Sequence, residues 1–321
     1  MQKGNDAEPY GKDLDQTGFE RAMDEDCLYL NIWVPKNTDG TTPIAIWIHG
    51  GAFLGGYATE MENAKAFGGD PDNITIFRQS AGAMSVQTLC SSERVKGKVA
   101  KAIMQSGGSY GLGLHRDIPQ AEQETYGKVF TDEILKVNSL EELRAVSQES
   151  ILDGMDPFLG RMMMPVTHGL FLTPTMDGYV LDDSYYKIMD DNRLLDIPYI
   201  IGWNDNDLDI QEPCGPKDGK ETFLCQGSRN FAAKIEELGR QPAYVYRFSR
   251  KLPGDDWGAY HSAELFYMSG TLDRCWRPWE DHDRALSAEM LDAWTDFMKT
   301  GNPGEHWKPY RKDDEFIKVF E

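Results

Sequence analysis

The chain has little cysteine, a deficit of basic residues and no long apolar run, and each absence excludes a class of protein. Its 321 residues contain 5 cysteines, and 33 Lys and Arg against 53 Asp and Glu give a formal net charge of -20. Such an acidic chain repels polyphosphate, and it lacks a basic stripe that would release counterions from nucleic acid. No run approaches the roughly 18 apolar residues that a membrane span requires. We therefore predict a protein that binds neither nucleic acid nor a membrane.

The five cysteines are scattered and odd in number, with no C-x-x-C motif and no neighbouring histidine cluster that would indicate zinc. We predict reduced thiols, no metal site and no cofactor. Only Cys214 and Cys225 are spaced for a local bridge, and they lie in a polar stretch that resembles a surface loop. The first residues contain no apolar segment typical of a secretion signal, which predicts a cytoplasmic location.

The order of apolar runs predicts an α/β fold in a single domain that spans residues 1–321. With 40% apolar residues, the chain can bury a full core. Segment 98–107 fits either a helix or a buried strand. The strand-like runs are 27–34, 44–51, 74–77, 197–203 and 243–250. The second of these runs is apolar enough for full burial. Their alternation with helical segments predicts a mostly parallel central sheet flanked by helices.

Helical patterns occupy the middle and the end of the chain. Ser139 and Glu142 form a capping box, and residues 112–165 are predicted to be a peripheral helical or lid region. Near the C-terminus, Gly301 is predicted to end an amphipathic helix. The residues of that helix predicted to face the core are Met290, Leu291, Trp294, Phe297 and Met298.

The segment ITIFRQSAGA places Ser80 between a strand and a small-residue helix, which is the context of a nucleophile elbow. The small residues Ala81 and Gly82 let backbone pass close to backbone there, and the N–H of Ala81 would face a developing oxyanion. A serine N-cap on an ordinary helix is the alternative interpretation. The glycine-rich turn HGGAF at 49–53 could aim further N–H groups at the same point, although this motif also suits a tight turn.

The chain resembles the type B carboxylesterases, the group of α/β-hydrolases that includes para-nitrobenzyl esterases and cholinesterases. The similar segments run in the order of the family from about Glu25 to the C-terminus. They are EDCLYLNIWVP, IWIHGGAF, FGGDPDNITIF, QSAGAMSV, MQSGG, PTMDGYVL, IPYIIGWNDND, GAYHSAELFY and WTDFMKTGNP. The resemblance implies an α/β-hydrolase fold, shortened relative to typical members.

The resemblance also implies roles for individual residues. Ser80 stands at the position of the nucleophile, His261 at that of the general base and Asp207 at that of the acid. Asp205 and Asp209 are close enough in sequence to be alternatives for the acid. The chain order of serine, acid and histidine is that of the α/β-hydrolases. The implied oxyanion-hole donors are the backbone N–H groups of Gly51, Ala52 and Ala81.

Two departures from the family pattern bear on activity. Arg78 occupies the position of the first glycine in G-x-S-x-G, where a long side chain is expected to crowd the elbow or force it open. The chain also lacks N-terminal strands and a block after Tyr57 that relatives contain. We hypothesise that residues 27–34 fill the gap by pairing with residues 44–51 as a hairpin.

The predicted function is hydrolysis of small carboxylic esters through an acyl-enzyme, weakened by Arg78 and by the missing segments. The predicted partner is a small-molecule ester, with no prediction of oligomeric state. The alternative is a catalytically inactive, cholinesterase-like binding module or a degraded paralogue.

Overall fold

The structure is a computed structural model, and it describes residues 32–36, 38, 40–53, 68–111, 117–163, 170–207 and 222–321. In these residues, six strands form one sheet in chain order, and each neighbouring pair is parallel. The predicted parallel sheet is therefore confirmed. The strands are β1 Thr42–Trp47, β2 Gly69–Gln79, β3 Lys101–Gln105, β4 Tyr199–Asn204, β5 Ala243–Phe248 and β6 Ile317–Phe320.

Helices cover the sheet and extend to one side of it. They are α1 Ala81–Cys90, α2 Gln120–Lys128, α3 Leu140–Arg144, α4 Gln148–Met163, α5 Tyr185–Asp190, α6 Phe223–Glu237, α7 Glu264–Met268 and α8 Asp281–Thr300. Only Ser80 separates β2 from α1. Among the residues described, no helix combines the length and the apolar character that a membrane span needs.

Both faces of the sheet are buried, because successive residues of each strand point to opposite sides. Ile76 and Val245 belong to a core that also contains side chains of α1 and α6. Their neighbours Phe77 and Tyr246 belong to a second core, with side chains of α7 and α8. Burial on both faces explains why the central strands read as nearly continuous apolar runs.

The N-terminal end of the sheet differs from the prediction. Strand β1, expected to be fully buried, lies at the edge of the described sheet, and Ile46 is its buried residue. Residues 32–34 were predicted to be part of a strand, but they form none, and the Trp33 side chain is 85% exposed. The hypothesised hairpin with β1 is therefore wrong for this part of the segment. Residues 27–31 lie outside the described residues.

The structure assigns segment 98–107 and three of the five cysteines. That segment contains strand β3, which resolves the choice between helix and strand. Cys225 was predicted to lie in a surface loop, but it is 2% exposed in the first turn of α6, where Thr222 caps the helix. Cys90, Cys225 and Cys275 are not in disulfide bonds, whereas Cys27 and Cys214 lie outside the described residues.

Helices α2, α3 and α4 fall in the region predicted to be peripheral. Phe158 forms a small apolar cluster there, separate from the two cores against the sheet. The capping box at the start of α3 is half formed: the Ser139 hydroxyl accepts from the N–H of Glu142, but the Glu142 carboxylate accepts from the N–H of Asn138. Leu140, the first residue of this helix, is 60% exposed.

Helix α8 packs its inward stripe against the second core. Met290, Trp294 and Phe297 are at most 1% exposed, as predicted, and Gly301 ends the helix with a φ of 80°. Leu291 was also predicted to face inward, and this is wrong because it is 42% exposed. One residue corresponds to about 100° of helix rotation, which turns position 291 away from the stripe that contains position 290.

Two leucines of α8 test this packing. Leu286 is 5% exposed and belongs to the core, so Leu286→Ala should lower the free energy of unfolding by about 2–5 kcal/mol through lost burial and a cavity. Leu291→Ala makes the same chemical change on the exposed face and should cost less than about 1 kcal/mol. Urea unfolding of both variants measures the difference, and equal losses would contradict the assigned faces.

Candidate active site

Ser80 lies at a strained bend between β2 and α1. Its φ of 60° and ψ of -135° are unfavourable for a residue with a side chain. The bend is held on both sides: the N–H of Ser80 donates to the carbonyl of Gln105 at 2.8 Å, and its carbonyl accepts from the N–H of Ala83 at 2.8 Å. The Ser80 hydroxyl makes no capping hydrogen bond to α1. The ordinary N-cap interpretation of this serine is therefore wrong.

Glycines allow the backbone to close around this bend. A Cβ atom on Gly50 would lie 2.9 Å from the Gln79 carbonyl oxygen and 3.5 Å from Ser80 Cβ. A Cβ atom on Gly107 would lie 2.2 Å from the Ser80 carbonyl oxygen, which is closer than any side chain tolerates. The HGG turn after β1 and the turn after β3 thus both pack directly against the serine.

The three predicted oxyanion donors surround the same bend. Gly51 and Ala52 have φ values of 110° and 54°, which turn the backbone sharply after β1. Ala81 is the first residue of α1. The hydrogen bonds between described residues do not use the N–H groups of Gly51, Ala52 and Ala81. Their role in an oxyanion hole remains a prediction.

Asp207 and His261 form a buried pair at the carboxyl ends of the central strands. Asp207 is 1% exposed and His261 is 8% exposed, and His261 Nδ1 hydrogen-bonds Asp207 Oδ1. Asn204, the last residue of β4, fixes this pair. Its N–H donates to Asp207 Oδ2 at 3.0 Å, and its side-chain amide donates to the Tyr260 carbonyl at 2.7 Å. One residue thus fastens the loop of the acid to the loop of the histidine.

The structure separates Asp207 from one of its alternatives. Asp205 accepts two hydrogen bonds from the guanidinium of Arg247, with Arg247 Nη2 at 2.7 Å from Asp205 Oδ2. Its carboxylate is therefore engaged away from His261. Asp209 lies outside the described residues. Of the described aspartates, Asp207 is the one in contact with the imidazole.

Sequence reasoning missed the group that contacts the other imidazole nitrogen. The side-chain nitrogen of Gln79 lies 2.9 Å from His261 Nε2. In the hydrogen bonds between described residues, Ser80 Oγ does not occupy this position. Gln79 precedes Ser80 in the quoted elbow motif, and its place there is the signal that could have drawn attention to it.

Sequence reasoning also missed a buried carboxyl group beside the pair. Glu264 is fully buried, and it accepts hydrogen bonds from Gln105 at 3.1 Å and from Asn204 at 2.5 Å. Burial, followed by the charge of Asp207, raises the pKa of Glu264 to about 7, although Asn204 and His261 act in the opposite direction. An acidic residue three positions after His261, within the run AELFY, was the available signal.

Arg78 crowds the elbow without opening it, since Ser80 keeps its strained backbone. A Cβ atom on Gly82 would lie 2.0 Å from Arg78 Cγ, so the arginine uses space that only this glycine leaves free. Its guanidinium carbon lies 3.8 Å from the centre of the Trp47 ring, and its Nε atom is buried without a hydrogen-bond partner. Burial lowers the pKa of Arg78 to about 10, partly offset by the charge of Glu264, so the group is cationic at neutral pH.

Comparisons with known proteins agree with this arrangement. The model of the carboxylesterase family matches residues 2–64, 60–221 and 219–320. The chain is 26% identical to para-nitrobenzyl esterase from Bacillus subtilis, over 90% of this chain and 78% of that protein. It is 25% identical to phenmedipham hydrolase from Pseudarthrobacter oxydans, over 97% of this chain and 82% of that protein. It is 24% identical to acetylcholinesterase from Leptinotarsa decemlineata, over 93% of this chain and 69% of that protein.

A solved structure has a closely similar fold. The structure of a thermophilic PNB esterase superposes with a TM-score of 0.79 at 23% identity, covering 97% of this chain and 83% of the other. At this identity the likeness establishes the fold, which is the predicted α/β-hydrolase fold. In this chain that fold consists of the parallel sheet and its flanking helices.

The raised pKa of Glu264 makes a prediction about stability. The folded state binds the Glu264 proton more tightly than the unfolded state, whose pKa is near 4.5. The stabilisation is therefore complete below about pH 4.5 and is lost as the pH rises through about 7. Glu264→Gln cannot ionise. Between about pH 4.5 and pH 7, the free energy of unfolding of the wild type should therefore fall by a few kcal/mol relative to that of this variant.

Urea unfolding of both proteins from pH 4.5 to pH 8 measures this difference. The introduced glutamine presents an N–H group to Gln105 or Asn204, which are both donors, and this lowers stability at every pH. The relevant quantity is therefore how the stability difference between the two proteins changes with pH. Parallel stability curves for the two proteins would show that Glu264 does not titrate as described.

Proposed function

The chain belongs to the carboxylesterase family and is a carboxylic ester hydrolase, and we propose that it works through an acyl-enzyme on Ser80. The observation that carries this proposal is the strained Ser80 bend, packed against the HGG turn and adjacent to the buried pair of Asp207 and His261. A bend of this kind exposes a hydroxyl above the sheet, where a substrate carbonyl can approach it.

In the proposed acylation, His261 Nε2 removes the proton of the Ser80 hydroxyl as Oγ bonds to the ester carbonyl carbon. The carbonyl oxygen becomes an oxyanion, which the N–H groups of Gly51, Ala52 and Ala81 stabilise. The imidazolium then gives its proton to the departing alkoxide, and the bond between the acyl carbon and the alcohol oxygen breaks. The products are an alcohol and an ester of Ser80.

In the proposed deacylation, His261 removes a proton from water, which attacks the acyl carbon. Collapse of the second oxyanion breaks the bond to Ser80 Oγ, which regains a proton from His261, and the carboxylic acid leaves. Asp207 holds the imidazole in the tautomer with the proton on Nδ1 and stabilises the imidazolium formed in both steps. These steps use residues of the chain alone.

We propose small carboxylic esters, uncharged or cationic, as the substrate class. The net charge of -20 supports the attraction of cationic substrates and opposes anionic ones. A cytoplasmic location, and the absence of nucleic-acid and membrane partners, remain predictions from the sequence.

A catalytically silent binding module is the competing proposal. Two observations favour it: Gln79 occupies the position on His261 Nε2 that the serine needs, and Arg78 crowds the elbow. Two other observations oppose the silent module: Ser80 keeps its strained backbone, and Asp207 keeps its contact with His261. Strained backbone of this kind clusters at functional sites.

Hydrolysis of a short-chain para-nitrophenyl ester distinguishes the two proposals. Ser80→Ala removes the nucleophile and should lower kcat by about 10⁴- to 10⁶-fold. Ser85→Ala removes a hydroxyl that bonds the Ala81 carbonyl within α1, and it should leave turnover unchanged. Turnover that persists in Ser80→Ala would refute the acyl-enzyme proposal, and a wild type without turnover would favour the silent module.

Arg78→Gly tests whether the arginine impairs the enzyme. Replacing it removes a long side chain packed over the elbow and the burial of an unpaired Nε atom. If this packing holds the elbow away from its reactive geometry, kcat should rise about tenfold, which corresponds to about 1.4 kcal/mol of activation free energy. Arg94→Gly removes an arginine stacked on Tyr179 beyond the far end of α1 and serves as the control. Equal or lower turnover in Arg78→Gly would show that the arginine does not impair catalysis.

A further inference from the structure

Gln79 is the last residue of β2, and its side chain reaches the imidazole that the proposed reaction uses as its base. It is 3% exposed, and its amide nitrogen lies 2.9 Å from His261 Nε2. The backbone around it is fixed, because Gln79 pairs with Gln105 in the sheet and its carbonyl packs under Gly50. Any movement of the Gln79 amide must therefore come from its own side-chain torsions.

The tautomer of His261 determines the direction of this hydrogen bond. Nδ1 contacts the carboxylate of Asp207, which can only accept, so Nδ1 carries the proton. In a neutral ring Nε2 is then an acceptor, and the amide N–H of Gln79 is the donor. The lone pair that would remove the Ser80 proton is thus occupied by Gln79.

We infer that Gln79 is a positioning residue that caps the catalytic base in the resting enzyme and must turn away before Ser80 can be deprotonated. This inference rests on the proposed function, because it concerns the base of that reaction. The inference adds one residue and one step to the proposed reaction. In this step, His261 Nε2 exchanges its hydrogen-bond partner from the Gln79 amide to the Ser80 hydroxyl.

The amide group acts differently on the two forms of His261. Its N–H donates to the neutral ring, but once Nε2 carries a proton the amide must turn its oxygen toward the ring to keep a hydrogen bond. Among the described residues, the charged groups that face the ring include Asp207 at Nδ1 and Glu264 in α7, with Arg78 of β2 interacting with Glu264.

Two variants whose side chains are similar in length to glutamine test the Gln79 cap by their turnover. Gln79→Met keeps the bulk but has no N–H donor, so kcat should rise about 2- to 10-fold with KM little changed, because one competing hydrogen bond is removed. Gln79→Glu can only accept, so it should hold the imidazolium and move the acid limb of the pH dependence of kcat/KM up by at least about one pH unit.

Gln87→Met is the matched control for the loss of a buried amide. Gln87 lies in α1, and its side chain binds both the N–H and the carbonyl of Ser109. This variant should lose stability without gaining turnover. A structural role for Gln79 would give the same pattern, with lower stability, no rise in kcat and no shift of the acid limb, and that result would overturn the inference.

A second measurement does not depend on turnover. In the Ser80→Ala background, ¹⁵N NMR of the His261 ring follows its titration directly. Adding Gln79→Glu should move this titration upward by at least about one pH unit, whereas identical titrations with and without Gln79→Glu would refute the contact. If the wild type hydrolyses no ester, the proposed function fails while this measurement still decides whether Gln79 binds Nε2.

Discussion

The bend at Ser80 is the constraint on which the rest of the site depends. One residue joins β2 to α1, and its positive φ turns the serine out of the sheet. Such a bend is possible only where neighbouring backbone comes very close, and Gly50 and Gly107 supply that room. Hydrogen bonds to β3 and within α1 hold the strained conformation. The surrounding sheet thus compensates the local cost of the bend.

Around this bend, the chain concentrates polar groups that would be costly to bury unless each were satisfied. Asn204 is the central connection, because it binds both Asp207 and Glu264 as well as the Tyr260 carbonyl. Two carboxyl groups this close repel each other when both are ionised, and burial adds to the penalty. The raised pKa of Glu264 is the consequence of its burial and of this repulsion.

Arg78 and Gln79 flank the serine from opposite faces of β2, since adjacent strand residues point in opposite directions. Arg78 extends past Gly82 and over the ring of Trp47. Gln79 points to the other face and reaches His261. Both residues act on the same reaction in our proposals, one through the packing of the elbow and the other through competition for the base. Both proposals therefore place the control of activity in two residues next to Ser80 in sequence.

The sequence by itself determined the parallel α/β fold, because apolar periodicity depends on near neighbours in the chain. It also determined Ser80, Asp207 and His261 as candidates, through the local elbow motif at Ser80 and the family resemblance of the segments that contain all three residues. Only the tertiary structure decided that Asp205 pairs with Arg247 and that Gln79 lies on His261 Nε2. These contacts join residues 42 and 182 positions apart. The position of β1 at an edge was likewise undetermined by its apolar run, since burial depends on which strands lie beside it.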